Sequence, residues 1–72
     1  MNVVMTELAS QLLGKTVEEA NALLQKFSES EGYSELFSLR VIEPGKPVFL
    51  DIWFYRFNVK LKNGVIVEAW NG

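Results

Sequence analysis

The segment Arg56-Phe57-Asn58-Val59-Lys60-Leu61-Lys62-Asn63-Gly64-Val65-Ile66-Val67-Glu68-Ala69-Trp70 reads as two strands and the turn between them. Phe57, Val59 and Leu61 alternate with Arg56, Asn58, Lys60 and Lys62, so one face is apolar and the other polar. Asn63-Gly64 is the dipeptide most tolerant of the positive backbone angles of a type I′ turn, and Val65 to Trp70 returns as the partner strand.

Upstream lies a second alternating run. Phe37, Leu39 and Val41 alternate with Ser38 and Arg40, which predicts a strand buried on one face. Between the two predicted strands runs Glu43-Pro-Gly-Lys-Pro-Val-Phe-Leu-Asp-Ile-Trp-Phe-Tyr55, stiffened at its entry by two prolines and a glycine. Its length exceeds what a hairpin needs, and suits a parallel pair joined by a crossover or an exposed arch.

Further upstream, Thr16 and Glu19 have the spacing of a reciprocal capping box, so a helix is expected to start at Val17. Val17, Ala20, Leu23, Leu24 and Phe27 form its apolar stripe. Glu18 and Glu19 complement the helix dipole rather than serve acid–base chemistry. The polar run Ser28 to Ser34, with Gly32, is expected to end the helix. Glu29 and Glu31 lack the further oxygen ligands of a calcium loop and read as a solvated connection. Leu8, Leu12 and Leu13 recur at helical spacing after Thr6 as a cap, so residues 1–13 are expected to form an arm or short helix packed on the rest. The expected architecture is α+β: a single domain over residues 1–72, with one main helix on a small mixed sheet, a long exposed loop between two parallel strands, and a C-terminal hairpin over the 14–72 core.

Composition narrows the function. The chain has 72 residues, no cysteine and no histidine, so neither a disulfide nor a zinc site of those ligands stabilises it; the 49% apolar content must. Serine–histidine and cysteine–histidine catalysis are excluded, Asp51 is the sole aspartate, and no phosphate-cradling glycine loop is present. This argues against an enzyme, and no cofactor or metal is implied. A net charge of −2 disfavours nucleic acid and anionic membrane as main partners. Lys60 and Lys62 are better explained as a solvated strand face guarded by lysine than as a nucleic-acid surface. No apolar run reaches the length of a membrane helix, Met1 to Gly14 lacks the pattern of a signal peptide, and the compartment stays open.

Two segments in order, Leu13-Gly14-Lys15-Thr16-Val17-Glu18-Glu19-Ala20 and Pro44-Gly45-Lys46-Pro47-Val48-Phe49-Leu50-Asp51 followed by Arg56-Phe57-Asn58-Val59, resemble the potato inhibitor I family of serine-protease inhibitors, over about residues 12–72. The resemblance implies a loop offered to a subtilisin-like or chymotrypsin-like protease as a poor substrate. Leu50-Asp51 would be the presented bond, with Leu50 in the pocket for the acyl-side residue and Val48, Phe49 and Ile52 as contacts. It also implies an arginine that braces the loop from the following strand. Arg56 stands there, ready to pair with Asp51. Three departures stand out: Phe49 replaces the usual threonine, Asn58 replaces the second bracing arginine, and Trp53, Phe54 and Tyr55 occupy positions where the family tends to be polar. Two alternatives follow from the aromatic run. The scaffold would bind another partner, or a second copy as a homodimer, through Phe49, Trp53, Phe54 and Tyr55; or Val48 to Tyr55 would simply run as a core strand.

Overall fold

The computed structural model describes residues 3–33, 36–46 and 51–72. It is an α+β fold, with helices α1 (Val3–Gln11) and α2 (Val17–Glu31) and strands β1 (Ser38–Val41), β2 (Arg56–Lys62) and β3 (Val65–Asn71). The sheet order is β1-β2-β3, with β1 parallel and β3 antiparallel to the central β2.

The hairpin forms as its sequence predicts. Lys62 pairs with Val65 across a two-residue turn in which Asn63 has φ 54° and Gly64 φ 81°, the sign that a type I′ turn requires at both positions. Lys60 faces Glu68 across the ladder and pairs with it at 3.2 Å. The Lys60 ammonium also lies 6.0 Å from the centre of the Trp70 ring. These contacts engage the Lys60 head group, while its side chain stays 49% exposed.

α2 starts where its cap places it. The Glu19 N–H donates to Thr16 Oγ1 at 3.2 Å, and the Thr16 N–H donates to Glu19 Oε1 at 3.0 Å, which holds the Glu19 carboxyl below its ordinary value. The helix runs further than expected, through Ser28 to Glu31, before Gly32 caps it by donating to the Ser28 carbonyl. Tertiary packing overrides the polar composition here: Ser28 is buried, and Phe27 and Tyr33 stack beyond it at 5.7 Å.

The N-terminal arm is a full helix rather than a loose one. Thr6 lies inside α1 and does not cap it, because the helix already begins at Val3. Its buried stripe is Met5, Leu8 and Ala9, and Leu12, in the turn just past the helix, continues it at the i+7 spacing, while Leu13 is exposed. α1 packs against β3, and α2 against β1, so the two helices share one face of the sheet. The link between them is tied to the sheet by two backbone bonds: the Gly14 N–H donates to the Ile66 carbonyl and the Ile66 N–H to the Lys15 carbonyl, each at 2.8 Å.

Phe57, Val59 and Ile66 join the helical residues in the core. Around Phe37 the rings of Phe27, Tyr33, Tyr55 and Phe57 gather at centroid distances of 5.4–5.9 Å, in tilted or edge arrangements. This cluster joins the end of α2 to the start of β2. Val41, expected inside, is 42% exposed at the end of the edge strand.

The polar face of β2 is not solvated along its length. Arg56 and Asn58 are 7% and 1% exposed, so the first half of the strand is buried on both faces. What covers them is the exit of the long connection and the end of β3.

Candidate functional site

The connection between the parallel strands leaves β1 through a tight turn. The Lys46 N–H donates to the Glu43 carbonyl at 3.2 Å, with Pro44 and Gly45 at the centre and Gly45 at φ 76°. Proline followed by a residue of positive φ is the signature of a type II turn, which glycine adopts without strain. Val48, Phe49 and Leu50, the first three expected contact residues, lie outside the described residues. Asp51 to Tyr55 is not a strand; it is irregular and then turns, with the Arg56 N–H donating to the Trp53 carbonyl at 3.1 Å. A core strand is therefore ruled out for this half of the run. Ile52 stands 88% exposed.

Beneath it, Asp51 is held from two strands. Arg56 Nη1 donates to Asp51 Oδ2 at 3.0 Å and Arg56 Nη2 to the Asp51 carbonyl oxygen at 2.9 Å. Arg40 Nη1 donates to the other carboxylate oxygen, Oδ1, at 3.1 Å. Each carboxylate oxygen thus takes one guanidinium. Bonds from Arg56, and after it from Arg40, hold the Asp51 carboxyl below its ordinary value.

The two arginines are themselves fixed from below. Arg40 and Asn58 are register partners in the parallel ladder, and Arg40 Nε donates to Asn58 Oδ1 at 2.7 Å. Asn58 Nδ2 donates to the Gly72 carbonyl oxygen at 2.7 Å, which also accepts from Arg56 Nε at 3.1 Å. Asn71 Nδ2 reaches the Phe54 and Arg56 carbonyls at 2.7 and 3.0 Å, so the end of β3 grips the exit of the connection directly. Among the described residues no buried side-chain nitrogen or oxygen lacks a partner. A complete network of this kind is rigid, because no member gains by turning away.

Asp51, Arg56 and Asn58, the residues expected to support the arch, meet in this one network. Arg40, a polar residue alternating with Phe37, Leu39 and Val41, joins them without having been among those expected. The available signal was that β1 and β2, if parallel, would put an arginine beside the positions expected to brace. The aromatic residues separate. Trp53 and Phe54 are 53% and 43% exposed, with the Arg56 guanidinium 5.9 Å from the Trp53 ring centre. Tyr55 turns inward, half-buried against Phe37, and offers Phe54 only an edge. Among the described residues no group of acids could hold a metal ion, and no helix is long and apolar enough to cross a membrane. No protein-family model matches the chain, and no curated protein matches its sequence.

Proposed function

We propose that the protein inhibits subtilisin-like or chymotrypsin-like serine proteases, presenting the Leu50-Asp51 bond on a substrate-like arch, with Val48, Phe49 and Ile52 as further contacts. The observation that supports this most is the anchoring of Asp51. An exposed residue is tied by both carboxylate oxygens and by its own carbonyl to two arginines, while its neighbour Ile52 projects into solvent. A segment already fixed in one shape loses little entropy on docking. If its bond is cut, an anchored amine end stays beside the acyl group and favours religation over departure.

The test is a titration against subtilisin and chymotrypsin with cleavage after Leu50 followed in parallel. Stoichiometric inhibition with slow cleavage is the expected result. Rapid degradation, or no inhibition at large excess, refutes the proposal. A second reading is favoured by the exposure of Trp53 and Phe54 beside Ile52: a non-inhibitory module that binds a partner or a second copy through this patch. Sedimentation at several concentrations tests its homodimer form, which a strictly monomeric protein eliminates.

A further inference from the structure

Arg40 belongs to a different part of the chain from the residue it holds, and that makes its role distinct from that of Arg56. Arg56 follows Asp51 by five positions and grips it from the same side of the Leu50-Asp51 bond. Arg40 precedes the connection and reaches Asp51 from the other side, across eleven positions of sequence. It does so with a planar fork: Nε on Asn58 and Nη1 on Asp51, at 2.7 and 3.1 Å. One side chain therefore joins β1, β2 and the connection between them.

We propose that Arg40 is a positioning residue that spans the presented bond, tying the chain before the arch to the first residue after it. The second brace, expected at residue 58, has crossed the parallel ladder to residue 40. Asn58, its register partner, orients it. The exchange is chemically sensible. Asn58 is 1% exposed, where a charge would be costly, whereas the Arg40 side chain retains 25% exposure and shares its charge with a carboxylate. Were the bond hydrolysed, water would add to leave a carboxylate on Leu50 and an amine on Asp51. Arg56 would then hold Asp51 only to its own fragment, and Arg40 would hold it to the other.

This inference rests on the inhibitor reading for its purpose but not for its test. In the free protein, 15N relaxation is measured for Asp51 and Ile52 in Arg40→Lys and Arg40→Gln. Lysine keeps the charge but has no fork to bridge Asn58 and Asp51. The expected result is a rise in mobility at Asp51 and Ile52 alone, their order parameters falling toward the flexible range below about 0.6. Amides of the β2–β3 hairpin should not change. An unchanged Asp51–Ile52 pair, or a uniform rise over the hairpin, overturns the proposal, the latter because it marks a merely structural role. Protease titration then separates the two claims. Inhibition that persists while Asp51 is insensitive to Arg40 overturns the brace and leaves the inhibitor reading standing, and a braced arch that inhibits nothing does the reverse.

Discussion

Asn58→Ala removes a residue that makes no contact with solvent and joins three parts of the network. Two hydrogen bonds are lost: the acceptor for Arg40 Nε and the donor to the Gly72 carbonyl oxygen, each 2.7 Å long. A bond to a charged donor contributes about 1.5–3 kcal/mol and a neutral one about 0.5–1.5 kcal/mol. The Gly72 carbonyl keeps Arg56 Nε, and Arg40 Nε, which loses its acceptor, belongs to a side chain 25% exposed and within reach of water, so the lower ends apply and the total is about 2 kcal/mol. A domain of this size has a total stability of only about 4–11 kcal/mol. The same loss lowers the melting temperature by about 8–16 °C. Urea and thermal unfolding at neutral pH, followed by circular dichroism, measure both quantities. A double-mutant cycle with Arg40→Ala should return a coupling of about 1 kcal/mol between the register partners. A single-variant loss below about 0.5 kcal/mol, the size of a neutral surface change, refutes the claim that Asn58 is a structural node.

Two further outcomes follow from the same geometry. Asp51 has a carboxyl pKa lowered by folding, so its contribution to stability is complete above the unfolded value, roughly 3.9, and is lost as pH falls through the lower folded value. Acid titration of unfolding should show this limb flattened in Asp51→Asn, only modestly because the carboxylate is 59% exposed, and a limb that is unchanged counts against the ion pairs. Leu12→Ala should cost about 2–5 kcal/mol, because Leu12 is fully buried at the end of the α1 stripe. A loss below about 1 kcal/mol in urea unfolding would make α1 a dispensable arm.

The site was only partly legible in the sequence. Asp51 and Arg56 were read as a pair because they lie close together in the chain and a family resemblance supplied a role. Arg40 shows in the sequence only as a polar residue alternating with Phe37, Leu39 and Val41, because nothing local distinguishes an arginine facing water from one facing a carboxylate on a later segment. Asn58 was named as a shorter substitute for an arginine. Its real work, orienting Arg40 and holding Gly72, depends on the parallel register. Along the α1 stripe, Leu8 and Leu12 were visible, but Met5 and Ala9 entered it only once β3 lay beneath them. The aromatic run divided for a similar reason: Tyr55 had a ring cluster to join at the end of α2, whereas Trp53 and Phe54 did not.

By itself the sequence determined the features whose causes are local: the Thr16–Glu19 cap, the Asn63–Gly64 turn, the alternation of β2, and the α+β class they imply together. These need only neighbouring residues, so their signals survive without a fold. Tertiary structure alone decided what lies across a distance. It set Arg40 beside Asn58 in a parallel ladder, brought the end of β3 under Asp51, and buried one half of a polar strand face while leaving the other to water. Pairing across a long connection is selected by the global packing of sheet and helices, and no single stretch of this chain carries that information.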